Sequence, residues 1–180
     1  MAARRRVGVL GGMGPEATVL FMQRVIERTE VTDDQDHVPL LVDNNPQVPS
    51  RVKAIVDGTG ADPGPVLAAM ARRLEAAGAE ALAMPCNTAH HFAPEIRGAV
   101  CIPFLDMVAL SARRLAEAGV RRVGILASPA IRITGVFEQP LAEHGVAPLY
   151  DRGEEDALAA IRAVKVRDYE PARRTLATAA

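Results

Sequence analysis

Two stretches of the chain share one local grammar. Val7-Gly8-Val9-Leu10 and Val123-Gly124-Ile125-Leu126 are short apolar runs of matching pattern, and each ends in small residues that open onto a helix-forming segment. Strands that alternate with helices return parallel to one another through right-handed crossovers, so the repeated unit commits the chain to parallel sheet covered by helices. The first half reads as strand over 7–10, helix from Glu16 to Arg28 behind Pro15, strand from Val38 to Val42, and helix from Val66 to Ala77 stopped at Gly78. Ala81 to Met84 follows as a buried strand, Pro85-Cys86-Asn87 as a tight turn, and Thr88 onward as a helix. In the second half, Ala109 to Ala118 reads as helix, Arg122 to Ala127 as strand, Gly135 to Glu143 as helix and Val146 to Tyr150 as strand. Glu154 to Val164 and Pro171 onward close the pattern as helices. The expected class is therefore α/β: two similar Rossmann-like three-layer α/β/α domains with parallel sheets, 1–101 and 102–180, the second incomplete at its C-terminal side. The boundary is placed near Ile102-Pro103, where a proline interrupts the pattern and a helix begins the new unit.

Composition narrows the function classes. With 21 basic and 22 acidic residues interspersed and a net charge of -1, the chain offers no single-sign surface to draw nucleic acid. Arg4-Arg5-Arg6 reads as a solvated tip before the first strand. No apolar stretch approaches the roughly 18 residues that span a bilayer, and the N-terminal run breaks at Gly11-Gly12 without the layout of a signal peptide, so a cytoplasmic protein with no membrane partner is expected. Cys86 and Cys101 have no spacing that suggests a disulfide framework, and neither sits in a Cys-x-x-Cys pair, so no metal site is expected.

Ligands of parallel α/β proteins bind at the carboxyl ends of the strands. The residues there are Gly11 to Gly14, Asp43-Asn44-Asn45, Cys86-Asn87-Thr88 and Ser128. Cys86 is the reactive type among them, and a helix starting just after it would favour its thiolate. Taken alone, a free cysteine is more often a small packing residue. Asn87 and Thr88 shift the balance, because short polar side chains beside the sulfur suit an anion better than a core. His90, four residues on, falls on the same helical face, where it either tunes the thiol or is a satisfied structural histidine. His91 is expected to face solvent, and Cys101, without polar neighbours, to be structural.

Three segments, in order, resemble signatures of the aspartate racemase branch of the aspartate/glutamate racemase family. They are Gly11-Gly12-Met13-Gly14-Pro15-Glu16-Ala17-Thr18, Asn44-Asn45-Pro46-Gln47-Val48-Pro49 with Arg51 after it, and Met84-Pro85-Cys86-Asn87-Thr88-Ala89-His90. The similarity continues through Ile102-Pro103-Phe104 and Gly135-Val136-Phe137. The resemblance implies racemisation of an amino acid without pyridoxal phosphate or any other cofactor, by two cysteines facing each other across a cleft between similar domains, in a homodimer. It makes Cys86 one acid/base, gives Arg51 and Lys165 the substrate carboxylates, and assigns Met13, Gly14, Asn44, Asn87 and Thr88 to the substrate-binding loops. Lys53 and Lys165 are the only lysines, which leaves little room for a Schiff-base site.

The chain departs from the family pattern at three places. Ser50 stands where an acidic residue commonly precedes the arginine, and Ser128-Pro129-Ala130-Ile131 replaces a loop rich in threonine and glycine. The Gly-Cys-Thr type motif with the second catalytic cysteine is not found through Ala180, and superposing the two halves places it past that residue. A one-cysteine relative, decarboxylase or isomerase, and an inactive homologue are the alternatives that follow. A dinucleotide-binding module is a further one, since Gly12-x-Gly14-x-x-Ala17 matches the loose fingerprint, with Asp43 as the ribose-binding acid.

Overall fold

Val9 and Leu10 are wholly buried in β1 (Val7–Gly11), the strand around which the first half is organised. The computed structural model describes residues 4–150 and 153–179; Ala180, the last position of the final expected helix and of the second expected domain, lies outside them. β1 pairs in parallel with β2 (Leu40–Asn44) on one side, from Val7 opposite Leu40 to Gly11 opposite Asn44. On the other side it pairs with β3 (Ala81–Ala83), and β3 pairs with β4 (Phe104–Leu105). The sheet order is β2-β1-β3-β4, all parallel. That order reverses direction between β1 and β3, so a crevice opens at the carboxyl ends of those two strands.

The connecting helices follow from their sequences. α1 (Pro15–Arg28) starts on a proline whose missing N–H is one of the unpaired first-turn donors anyway. The short α2 (Arg51–Ile55) is capped by Ser50, whose hydroxyl accepts from the Lys53 N–H at 3.3 Å. α3 (Gly64–Ala76) lays Leu67, Met70, Ala71 and Leu74 onto the sheet, where they meet Leu10, Leu82 and Met84 in one buried core. Gly8 lets α3 approach: a Cβ there would lie 2.9 Å from Leu82 Cδ2 and 3.0 Å from Leu74 Cβ. β3 then leads through Met84-Pro85-Cys86-Asn87 into a 3-10 turn, Thr88–Phe92, and α4 (Ala93–Ala99). The helix expected from Thr88 onward is split in this way because Pro94 has no N–H for an i to i−4 bond and crowds the preceding turn.

The second half repeats the start of the first. α5 (Met107–Glu117), β5 (Arg122–Ile125), α6 (Pro129–Thr134), α7 (Glu138–Glu143), β6 (Ala147–Tyr150), α8 (Glu154–Lys165) and α9 (Tyr169–Ala179) follow in order. β5 and β6 form a second parallel sheet, Arg122 opposite Ala147 through Ile125 opposite Tyr150. Three features differ from the sequence reading, the first being α6 itself, where Ser128 to Ile131 reads as a loop. The expected helix 135–143 is α7 alone, because Gly135, at φ 61°, is the left-handed cap that ends α6. The residues just past Pro103 form β4, which pairs with β3, so the last strand of the first sheet lies on the C-terminal side of the expected boundary at Ile102. Among the described residues, no helix is long and apolar enough to cross a membrane.

Candidate functional site

The loop after β1 is held open by its own backbone. Gly12, at φ 90°, passes so close to the next loop that a Cβ would lie 2.4 Å from the Asn45 carbonyl carbon. Its N–H donates to Thr18 Oγ1 at 2.9 Å, and Thr18 is buried on α1, so the loop is latched to the helix it precedes. The loop after β2 is tied to the same point, for the Asn45 N–H donates to the Gly11 carbonyl at 3.3 Å. Asn45 Oδ1 accepts from the Gln47 N–H at 3.0 Å and folds the chain back toward Val48 and Pro49. The carbonyls of those two residues accept from Arg51 Nη1 at 3.0 and 2.7 Å. A guanidinium with one end fixed by its own loop keeps its remaining N–H groups in a set direction.

These pieces converge on a cavity of about 530 Å³ between the two sheets. From the first half it is lined by Met13, Gly14 and Glu16, by Arg51, and by Cys86, Asn87 and Thr88. The second half contributes Leu126, Ala127 and Ser128 after β5, and Lys165 with Ala157, Ile161 and Val164 on α8. α6 packs against both α2 and the 3-10 turn, which closes the halves on each other. Burial and then the Arg51 guanidinium push the Lys165 ammonium below the ordinary lysine range, while the Cys86 sulfur pulls the other way. Arg51 and Cys86 thus both act on the Lys165 ammonium across the same space.

Of the residues the sequence singled out, Met13, Gly14, Arg51, Cys86, Asn87, Thr88 and Lys165 line this cavity. Asn44 does not. It is the last β2 residue paired with Gly11 and lies exposed on the edge strand, and Asn45 rather than Asn44 turns inward to organise the loop. Cys86 precedes a 3-10 turn of five residues rather than a regular helix. His90 is buried and bonded to the Cys86 backbone carbonyl, not to its sulfur. His91 and Cys101 are both exposed. Asp43, the acid a dinucleotide fold would need, is held by Arg73 Nη2 at 2.7 Å and does not line the cavity. Among the described residues, no group of three or more His, Cys, Asp or Glu side chains is placed to hold a metal ion.

Sequence reasoning missed Glu16 and the α8 wall. Glu16 follows Pro15 in the first turn of α1 and adds a carboxylate to a cavity that otherwise carries cations. The wall was visible in the spacing: Ala157 and Ile161 lie eight and four residues before Lys165, on one helical face.

Residues 10–180 match the family described as Asp/Glu/Hydantoin racemase. The broad specificity amino-acid racemase RacX of Bacillus subtilis is 27% identical over 152 residues, 77% of this chain and 61% of that protein. The chain therefore spans less than two thirds of the length of this relative. Among solved structures, the aspartate racemase of Picrophilus torridus superposes with a TM-score of 0.88 at 31% identity, over 97% of this chain and 74% of that one. A glutamate racemase from Francisella tularensis shares the fold, with a TM-score of 0.63 at 15% identity, over 92% of this chain and 57% of that one.

Proposed function

The chain belongs to the Asp/Glu/hydantoin racemase family, and from that premise we propose that it serves a cytoplasmic, homodimeric amino-acid racemase acting on aspartate or a related acidic amino acid without pyridoxal phosphate. The observation that carries this reading is one cavity that brings Cys86, Arg51 and Lys165 together. Arg51 would grip one carboxylate through its fixed fork, and Lys165 the other. The Cys86 thiolate would take the α-proton, the electrons of the broken C–H bond passing into the adjacent carboxylate, where the fixed cation offsets the growing charge. Return of the proton by the Cys86 thiol restores the starting enantiomer; inversion needs an acid on the opposite face. Among the described residues, Cys86 is the cysteine that lines the cavity, and Cys101 lies exposed outside it.

The test is exchange of the α-proton of aspartate in deuterated water, followed together with optical rotation. Cys86→Ser should abolish exchange and Cys101→Ala should leave it within about twofold of the parent, since only the first thiol faces the substrate. The 180-residue chain should exchange one enantiomer faster than it loses rotation. Equal loss of exchange in both variants would remove Cys86 from its role, and added pyridoxal phosphate that raises turnover would refute the thiol chemistry.

A further inference from the structure

His90 joins the Cys86 turn to the start of α5 through both of its ring nitrogens. Its Nε2 faces the Met107 N–H at 3.2 Å, and a backbone N–H can only donate, so Nε2 is the bare nitrogen. The proton is then on Nδ1, which donates to the Cys86 carbonyl at 2.7 Å. The ring is buried, tilted against Phe104 at 5.4 Å between centroids, and its own backbone N–H donates to the Asn87 carbonyl at 3.0 Å. Asp106 Oδ1 lies 3.9 Å from Nε2, occupied by the Val108 and Ala109 N–H groups it caps, and the other Asp106 oxygen holds Arg97 at 2.6 Å. Every neighbour of the ring is therefore fixed, and the Cys86 turn is fixed through it.

We infer that His90 is a positioning residue: the Nδ1–H bond to the Cys86 carbonyl sets the direction in which the thiol enters the cavity, and the Met107 N–H, by donating to Nε2, keeps the ring proton on Nδ1. The inference rests on reading Cys86 as the acid/base, but its geometry can be tested without turnover. The two nitrogens can be separated by substitution. In His90→Asn the side-chain amide N–H falls near Nδ1, which keeps the bond to Cys86 and loses the one to Met107. In His90→Gln the amide oxygen reaches the Nε2 position and does the reverse.

The experiment is alkylation of Cys86 by iodoacetamide, quantified on the Cys86 peptide so that Cys101 does not contribute, beside α-proton exchange and thermal unfolding. His90→Asn should alkylate within about twofold of the parent, and His90→Gln should differ by at least about fivefold, the scale of one hydrogen bond. In exchange, His90→Gln should lower kcat and leave KM in place. A residue that merely fills space would give equal alkylation in the two variants, and that result overturns the inference. Labelled-imidazole NMR of the unaltered protein gives a second check that needs no variant: the Nδ1–H tautomer is expected, and the Nε2–H tautomer would overturn it. Absence of exchange in every protein, the parent included, would sink the racemase reading while the alkylation arms still decide the role of His90.

Discussion

Arg51 is oriented before any ligand arrives, because the Val48 and Pro49 carbonyls already hold Nη1. Preset groups lose little freedom on binding, so Arg51→Lys should weaken dicarboxylate binding by about tenfold to a hundredfold in calorimetry, as an ammonium offers no second prong. Unchanged affinity would take Arg51 out of the site. His90 gives a separate prediction in pH. Burial leads in pushing its pKa below the ordinary 6.5, while the Cys86 carbonyl bond and Asp106 push less strongly upward. The folded state thus favours the neutral ring, and its contribution to stability is full above 6.5 and lost as pH falls through the lowered value. Thermal stability should drop as pH falls below 6.5 in the parent, and the drop should shrink in His90→Gln. Asp106 acts in a lower window. Burial opposes its charge, but the Ala109 N–H and Arg97 prevail, so its contribution is lost only in stronger acid.

The loops after β1 and β2 are a single element in mechanical terms, closed by the Gly12 contact with Asn45 and by the Thr18 latch. Gly12→Ala would force a side chain into the Asn45 backbone at a positive φ, so a loss of at least about 2 kcal/mol is expected in denaturant unfolding, with weaker ligand binding through Arg51. A neutral substitution would show that the loops are not coupled. The same scale shows why some elements were legible and others were not. β1 and β3 were read nearly to the residue, since each is a buried apolar run bounded by glycine or proline. β4 is two residues long and exists because β3 offers it a ladder, which no local pattern encodes. α6 was missed because Ser128-Pro129 suggests a loop, although a proline at the first turn and a glycine six residues on are also the two ends of a short helix. Asn44 lies off the described cavity for a related reason: the sequence marks a strand end, but which of two adjacent asparagines turns inward depends on the β1 partner.

At the scale of the molecule, α1 exposes Val19, Leu20 and Ile26, at 65%, 49% and 56% of their surface. For the homodimer proposed above, sedimentation should return twice the chain mass, and Leu20→Glu tests whether this face is the one covered, a return to the single-chain mass with unfolding unchanged being the result if it is. A monomeric parent protein would remove the proposal. The family was readable from three short motifs, whereas the α8 wall was readable only as a helical spacing, because which cavity that face lines is set by the packing of the second half on the first. That wall also divides the inheritance of the site. Cys86 and Arg51 are presented by the turns and short elements of the first half, while the second half contributes Lys165 set in chiefly aliphatic surface. Substitutions along Ala157, Ile161 and Val164 can reshape the chamber without disturbing the turn that presents the thiol. On this plan ordinary point mutation can recarve what the chamber admits while the turn that carries Cys86 stays as it was cast.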